Sequence, residues 1–159
     1  ERANLTDDLT GVGNRRRANA LVDMMQPGDA VALLDLDHFK RVNDSLGHAE
    51  GDRVLMALGA YLLGSVRDAD CVARYGGEEF LILLRGAGTG AGSVIERLVA
   101  GWRTAGTEVT LSAGVAVHAA ARSPMQTLEQ ADTLLYAAKA AGRDQVVVEL
   151  AAQAAMIGG

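Results

Sequence analysis

The sequence predicts an α/β domain in which helices flank a central mixed sheet. Stretches with apolar residues at helical spacing alternate with short apolar runs, as helices and strands alternate in this class. The chain has 159 residues, of which 49% are apolar and 22% are charged, so it can bury one core without disulfides or a structural metal. We expect a single domain over residues 1–150 and a C-terminal tail over 151–159.

The first half of the chain holds two predicted helices and three predicted strands. Asn14 is a suitable N-cap for the first helix, which Pro27 ends, and leucine and valine at helical spacing define the second. Gly76-Gly77 separates two apolar strands and favours a two-residue hairpin turn with positive φ at both positions. The predicted elements are helix 14–25, strand 30–35, helix 49–66, and strands 71–75 and 79–84.

The second half continues the alternation after a glycine-rich loop over 86–92. One strand is interrupted by Gly114, and an alanine-rich helix ends at Gly142, a suitable residue just past a helix end. The predicted elements are helix 93–102, strand 108–117, helix 128–141 and strand 145–149.

Charge and cysteine content exclude several classes of protein. The chain has 15 Lys and Arg against 20 Asp and Glu, a net charge of −5, which argues against a nucleic-acid-binding role. Cys71 is the single cysteine, so we expect no disulfide and a cytoplasmic location. No apolar run approaches the roughly 18–20 residues that a membrane helix needs, so we expect membrane contact only through a region upstream of this chain.

Acidic side chains end one predicted strand and open another. Asp35 ends a buried apolar strand, Asp37 lies two residues on, and Glu78-Glu79 follow the glycine turn. Adjacent carboxylates repel each other unless a cation lies there, and oxygen ligands beside phosphates suit Mg²⁺ or Mn²⁺. We therefore expect a divalent metal site, holding two ions, at Asp35 and Glu78. Asp37 taken alone is equally well explained as a solvated strand end.

Basic side chains in other segments could neutralise phosphates. Lys139 and Arg143 lie four residues apart near the end of a helix, which equally suits compensation of the helix dipole. Lys40 follows the acidic strand, where backbone amides at a turn could bind phosphate oxygens. The sequence contains neither G-x-x-x-x-G-K-[ST] nor G-x-G-x-x-G after a strand, so a P-loop site is excluded.

The order of these motifs resembles that of the GGDEF domain family. The resemblance covers residues 8–148, and Val12 stands where the family usually has leucine. The matching segments are 8–16 for D-x-L-T-G-L-x-N-R-R, 35–40 for D-x-D-x-F-K, 43–52 for N-D-x-x-G-H-x-x-G-D, 74–80 for the signature in its GGEEF form, and 111–115 and 131–143 for later landmarks.

This resemblance implies a fold and an activity. The fold would be a central mixed, largely antiparallel sheet flanked by helices, similar to the palm of nucleotidyl cyclases and polymerases, with the signature on a β-hairpin. The activity would be that of a diguanylate cyclase, which converts two GTP molecules into cyclic di-GMP and two pyrophosphates. Because each domain binds one GTP, catalysis would need a homodimer with the site at its interface. We expect sensing and dimerisation to come from a region upstream.

The resemblance also implies roles for individual residues. Asp35, Glu78 and the carbonyl of Leu36 would bind metal, while Glu79 would help deprotonate the attacking 3′-hydroxyl or support the site, and Lys40 would complete the catalytic set. Asn43 and Asp52 would read the guanine edge, and Asp52 would favour GTP over ATP. The remaining substrate contacts would be His38, Phe39, Lys40, Gly76, Gly77, Lys139 and Arg143.

A second nucleotide site is implied just before the signature. Arg67-x-x-Asp70 has the spacing of the family's product-inhibition site, and Arg97 on the next helix would assist. Arginine can pair with phosphate or guanine, and aspartate can accept hydrogen bonds from guanine N1 and N2, so cyclic di-GMP would be the inhibitor. The alternative is a solvated loop at a helix end.

Three competing functions remain open. A receptor that binds GTP or cyclic di-GMP without turnover would lose parts of the signature, which is intact here. A cyclase with relaxed base choice is disfavoured by Asp52. A purely structural or dimerisation module is disfavoured because clustered carboxylates would reduce stability without any compensating interaction.

Overall fold

The computed structural model describes residues 4–105 and 108–149. Within them the helices are α1 Arg15–Asp23, α2 Phe39–Leu46, α3 His48–Ser65, α4 Ala91–Thr104 and α5 Pro124–Ala140, with a 3₁₀ turn at Gly88–Gly90. The strands are β1 Ala30–Leu36, β2 Cys71–Arg74, β3 Glu79–Leu84, β4 Leu111–Val117 and β5 Val146–Val148.

These strands form one sheet in the order β2-β3-β1-β4-β5. Neighbouring strands are antiparallel except β4 and β5, which are parallel. The register places Asp35 of the central strand β1 opposite Glu79 of β3 and Ser112 of β4. The expected mixed, largely antiparallel sheet flanked by helices is therefore confirmed.

Each face of the sheet buries its own apolar layer, because successive side chains of a strand point to opposite faces. Leu34 and Leu36 of β1 pack in the layer that contains α3 and α4. Val31 and Leu33 pack in the opposite layer, which contains α1 and α5. Asp35 shares the face of Leu33, so its carboxylate points towards α1 and α5.

Most predicted elements are present with shifted ends. The side chain of Asn14 caps α1 by accepting a hydrogen bond from the backbone N–H of Arg17, as predicted. Helix α5 begins before the predicted residue 128, because Ser123 and Gln126 form a capping box ahead of it. Strand β4 begins at Leu111 and not at the predicted 108.

Helix α2 was not predicted. The turn expected at Lys40 is instead the first turn of this helix, and His38 precedes it in the left-handed conformation with φ 54°. Gly47, with φ 88°, separates α2 from α3. Because α2 has only 8 residues, about two turns, its periodicity is too short to stand out in the sequence.

The turn between β2 and β3 differs from the predicted two-residue turn. The backbone N–H groups of Tyr75 and Gly76 both donate to the carbonyl of Glu79, at 2.7 and 3.1 Å, so the loop also includes Glu78. Neither Gly76 nor Gly77 has a positive φ. The expectation of a hairpin is confirmed, but the reason given for its glycines is wrong.

The structure also bears on the expectations for membrane helices and for the cysteine. No helix in residues 4–105 and 108–149 is long and apolar enough to cross a membrane. Cys71 is a free, half-buried thiol. The predicted tail, 151–159, lies outside the described residues.

Candidate active site

An ion pair joins the two groups of charges that the sequence analysis treated separately. The Nζ atom of Lys139, in the last turn of α5, lies 2.7 Å from Oδ2 of Asp35 at the end of β1. The Asp35 side chain is 8% exposed and that of Lys139 is 32% exposed. Helix α5 packs against β4 and β1, which places its C-terminal end over the end of β1. The carboxylate of the predicted metal ligand Asp35 is therefore paired with a lysine.

Glu78 and Glu79 bring two further carboxylates to Asp35. Glu79 faces Asp35 across the β1–β3 ladder, and the carbonyl of Glu78 accepts a hydrogen bond from the backbone N–H of Leu36 at 3.3 Å. Burial raises the pKa of Glu78, and so do the charge and hydrogen bond of the adjacent Asp35. The β-sheet register thus assembles the three carboxylates that the motifs place far apart in sequence.

Glu79 has the most strongly perturbed carboxyl group of the cluster. Burial, followed by the negative charges of Asp35 and Asp132, raises the pKa of Glu79 to about 7, and the positive charges of Lys139 and Arg15 only partly oppose this rise. A pKa raised by burial together with neighbouring carboxylates is common at functional sites.

The donor set fits Mg²⁺ or Mn²⁺. Asp35 and Glu78 are two hard oxygen donors close enough to repel each other, and Leu36 adds a backbone carbonyl at the same point of β1. Mg²⁺ is commonly held by one or two carboxylates together with substrate phosphates. Across residues 4–105 and 108–149, no group of three or more His, Cys, Asp or Glu side chains could hold a metal ion by itself. The geometry therefore suits a metal that arrives with a phosphate ligand.

Asp37 is a structural residue. Its carboxylate accepts hydrogen bonds from Thr110 Oγ1 at 2.7 Å, Ser112 Oγ at 2.6 Å and the backbone N–H of Asp144 at 3.0 Å. The side chain is buried, and these bonds tie β4 and the segment after α5 to the end of β1. The interpretation of Asp37 as a solvated strand end is wrong, because its carboxylate is fully used inside the fold.

The predicted triphosphate segment forms the start of α2. His38 and Lys40 are exposed there, whereas the Phe39 side chain is 5% exposed and packs in the core. Phe39 can therefore offer a ligand its backbone but not its ring, so the predicted substrate contact at Phe39 would be made by its backbone. Helix N-termini carry free backbone N–H groups that attract phosphate oxygens.

The two predicted base-reading residues lie on adjacent helices. Asn43 of α2 is half-buried, and its side-chain oxygen lies so close to Gly51 of α3 that a Cβ at position 51 would collide with it. Asp52, the next residue, is exposed. The close approach of α2 and α3 at Gly51 therefore places Asn43 beside the segment that carries Asp52.

A larger cleft, of about 550 Å³, lies elsewhere around α2. Its walls include His38, Val42, Glu50 and Val109, and neither Asn43 nor Asp52 lines it. None of the three clustered carboxylates lines this cleft, so it is separate from the charged cluster that forms the candidate site.

The glycines of the hairpin are not required by the fold. Gly76 has only the Cβ of Glu79 near its open side, at 3.6 Å, and Gly77 has no heavy atom within 4 Å of the place where a Cβ would stand. Both are exposed and neither has a positive φ. Their missing side chains leave free space directly beside Glu78.

The structure also shows a contact that the sequence analysis missed. The carboxylate of Asp7 accepts hydrogen bonds from the backbone and hydroxyl of Thr10 and lies 3.4 Å from Arg74, which donates to the carbonyl of Gly77 at 2.7 Å. Burial opposes ionisation of Asp7, but the hydrogen bonds of Thr10 and the charge of Arg74 lower its pKa overall. The D-x-L-T pattern begins at Asp7 and not at Asp8. This spacing is the sequence signal that could have identified Asp7 as the residue that contacts Thr10 and Arg74.

The second predicted site is a separate cleft of about 270 Å³ whose lining includes Arg67, Asp70 and Arg97. Arg67 donates to Asp70 through Nε at 3.0 Å and Nη2 at 2.8 Å, and the backbone N–H of Arg85 donates to the same carboxylate. Burial opposes ionisation of Asp70, but these hydrogen bonds lower its pKa overall. The three predicted residues therefore lie around one cavity.

Comparison with known proteins agrees with this architecture. The family model for "Diguanylate cyclase, GGDEF domain" matches residues 4–145. The diguanylate cyclase DgcP of Pseudomonas aeruginosa is 38% identical over 91% of this chain and 24% of its own length. DgcS of Shewanella oneidensis is 37% identical over 87% of this chain and 50% of its own length. The chain thus spans between a quarter and a half of these curated relatives.

Solved structures give the same result. The coiled coil and GGDEF domain of DgcB from Caulobacter crescentus, in complex with c-di-GMP, has a TM-score of 0.83 and 28% identity, covering 91% of this chain and 85% of that chain. Diguanylate cyclase SiaD of Pseudomonas aeruginosa has a TM-score of 0.82 and 40% identity, covering 92% and 62%. The fold is that of a GGDEF cyclase domain. This chain belongs to the GGDEF domain family of diguanylate cyclases.

Proposed function

We propose that this domain is a diguanylate cyclase, which condenses two GTP molecules into cyclic di-GMP and two pyrophosphates. The observation that carries the proposal is the convergence of Asp35, Glu78 and Glu79 with Lys139 at the glycine hairpin. Family membership supports the same activity. Clustered carboxylates with a neighbouring lysine beside free space suit a metal-bound triphosphate better than a structural role.

Each residue group has a distinct task in this proposal. Asp35, Glu78 and the Leu36 carbonyl would hold Mg²⁺ or Mn²⁺, two ions per site. When bound, the metal would neutralise the triphosphate and lower the pKa of the 3′-hydroxyl that attacks the α-phosphate. Lys139 would leave Asp35 to pair with phosphate oxygens. Glu79 would accept the 3′-hydroxyl proton or support the site.

The remaining substrate contacts follow from the positions of exposed polar groups. The backbone at the start of α2 would bind phosphate together with His38 and Lys40. Arg143 would add a further cation, since its guanidinium forms no hydrogen bond or ion pair with the described residues. Gly76 and Gly77 would let the nucleotide approach the hairpin backbone.

Guanine would be read by Asn43 and Asp52. An aspartate can accept from N1–H and N2–H of guanine, which adenine does not offer in that arrangement. The exposed carboxylate of Asp52 and the half-buried amide of Asn43 supply complementary acceptor and donor groups.

Catalysis would require a homodimer, because each 3′-oxygen must reach the α-phosphate on the other subunit. Cyclic di-GMP would inhibit by binding at Arg67, Asp70 and Arg97. The common cavity of these residues supports that assignment. The complex of DgcB with c-di-GMP is consistent with ligand binding in this family.

The proposal is tested by identifying the product directly. Concentrated protein with GTP and Mg²⁺ should yield cyclic di-GMP by mass spectrometry, and Glu78→Gln should abolish it. Glu129→Gln, an exposed carboxylate on α5, is the matched control and should retain activity. If the parent makes no product even when fused to a dimerising helix, the cyclase proposal fails and a non-catalytic nucleotide receptor replaces it.

A further inference from the structure

The signature hairpin has little internal packing to fix its shape. Gly77 contacts nothing at its open side, and Gly76 meets only the Cβ of Glu79. Exposed glycine backbone has many accessible conformations, so Glu78 and Glu79 must be held by contacts from outside the glycine pair. Arg74 donates to the carbonyl of Gly77 at 2.7 Å, and the N–H of Leu36 donates to the carbonyl of Glu78 at 3.3 Å. Further contacts lie at the base of the loop.

Tyr75 is the residue at that base. Its backbone N–H donates to the carbonyl of Glu79 at 2.7 Å, and the N–H of Gly76 donates to the same carbonyl at 3.1 Å. These two bonds close the loop, so the position of the Tyr75 backbone sets where Glu79 leaves the loop and enters β3.

Arg15 holds Tyr75 in two ways. Its Cζ lies 3.8 Å from the centroid of the Tyr75 ring, and its Nη1 donates to the Tyr75 carbonyl at 2.7 Å. A planar guanidinium can stack on an aromatic ring and donate a directed hydrogen bond at the same time, which an ammonium cannot do equally well. Arg15 comes from the first turn of α1, so this contact connects α1 to the hairpin from outside.

The neighbouring Arg16 provides an internal comparison. It lies one position further along α1, is exposed, and forms no hydrogen bond, ion pair or ring contact with residues 4–105 and 108–149. The two arginines carry the same charge and are neighbours in the first turn of α1, but of the two only Arg15 contacts the hairpin.

We propose that Arg15 is a positioning residue of the active site, which fixes Glu78 and Glu79 by holding the ring and carbonyl of Tyr75. The effect of this positioning on catalysis rests on the proposed cyclase function. Arg15 acts on the carboxylates through Tyr75, and its positive charge also opposes the raised pKa of Glu79. We do not place it in contact with substrate, so its loss misplaces the carboxylates while the residues proposed to bind base and triphosphate stay in place.

The test compares Arg15→Ala, Arg15→Lys and Arg16→Ala. Arg15→Ala should lower kcat by at least ~10-fold with KM for GTP within about 2-fold, because it removes positioning and not binding. Arg15→Lys, which keeps a cation over the ring, should retain an intermediate kcat. Arg16→Ala should match the parent protein in both constants.

A second measurement does not depend on turnover. Amide hydrogen exchange at Tyr75 and Gly76 should speed up by roughly 10-fold in Arg15→Ala, with exchange in β1 and β4 unchanged. If Arg15→Ala unfolds, exchange will speed up throughout the chain. In that case Arg15→Lys or Tyr75→Leu is measured in place of Arg15→Ala. Tyr75→Leu removes the ring and keeps the carbonyl.

Three results would overturn the proposal: unchanged exchange at Tyr75 and Gly76 in a folded Arg15→Ala protein, a rise in KM without a fall in kcat, or an equal effect of Arg16→Ala. If the parent makes no cyclic di-GMP, the proposed function fails. The exchange experiment then still decides whether Arg15 holds the hairpin.

Discussion

Lys139 Nζ lies 2.7 Å from Asp35 Oδ2, although the two residues are 104 positions apart in the chain. The pair joins the last turn of α5 to the end of the central strand. Asp35 is also one of the residues proposed to hold a divalent cation, which would draw on the same carboxylate. A free metal ion and Lys139 would therefore compete for the carboxylate of Asp35. A bound triphosphate would attract the lysine and so reduce this competition.

Replacing Lys139 by Gln should strengthen binding of Mn²⁺ to the nucleotide-free protein by several-fold, because a competing positive charge is removed. The same change should weaken binding of GTP, since one phosphate contact is lost. Mn²⁺ titration followed by electron paramagnetic resonance measures the first effect, with Arg16→Gln as the charge-matched control. Unchanged Mn²⁺ affinity would show that Lys139 does not compete at Asp35.

The raised pKa of Glu79 predicts a pH-dependent stability effect in metal-free protein. The pKa of Glu79 is raised from its ordinary value of 4.5 to about 7 in the folded protein, so the folded state binds more protons between these values and loses stability as pH rises through them. Glu79→Gln should therefore raise the free energy of unfolding at pH 8 by about 1–2 kcal/mol, a value reduced for partial exposure.

This difference should vanish at or below pH 4, where Glu79 is protonated in both states. Urea unfolding in EDTA at several pH values provides the measurement. A difference between the parent and Glu79→Gln that is the same at pH 4 and pH 8 would contradict the assignment.

Gly77→Ala should separate folding from activity. No atom lies within 4 Å of the new methyl group and φ at this position is not positive, so the midpoint of thermal unfolding should stay within about 1–2 °C of the parent value. Cyclase activity should fall at least ~10-fold because the methyl group enters the space assigned to the nucleotide. Gly64→Ala, also open on its free side, is the control and should keep full activity.

Arg67→Ala should relieve product inhibition. The guanidinium is exposed and lines the second cleft together with Arg97, and removing it should raise the inhibitory concentration of cyclic di-GMP at least ~10-fold while initial rates stay near the parent value. Arg53→Ala removes another exposed arginine of a surface ion pair and should leave inhibition intact. Equal inhibition of Arg67→Ala and the parent would remove this cleft from the regulatory assignment.

A buried ion pair stabilises the end of the sheet remote from the site. Arg122 donates to both carboxylate oxygens of Glu149 at 2.8 and 2.9 Å, and their side chains are 5% and 0% exposed. Arg122→Met should lower the free energy of unfolding by about 3–5 kcal/mol, because the carboxylate is left buried without a partner. Glu50→Gln, at an exposed pair, should change stability little, and chemical denaturation distinguishes the two.

Local sequence determined most of the elements of this protein. Asn14 caps α1, the apolar run before Asp35 forms β1, and the glycine pair marks the β2–β3 connection, because caps, apolar runs and turn residues act over a few positions. Short or irregular parts were less predictable. Helix α2 has 8 residues, and the shape of the hairpin is set by bonds from Tyr75 and Gly76 to Glu79 and not by glycine dihedrals.

The site was predictable as a set of residue types, whereas their partners were decided by the tertiary structure. Sequence motifs singled out Asp35, Glu78 and Lys139, since carboxylates beside strands and a lysine near a helix end can be read from a few neighbouring residues. Only the β1–β3 register and the packing of α5 on the sheet bring these groups within contact. The same packing makes Asp37 a structural residue, because groups distant in sequence donate hydrogen bonds to its carboxylate. The residues next to Asp37 in the sequence give no sign of these partners.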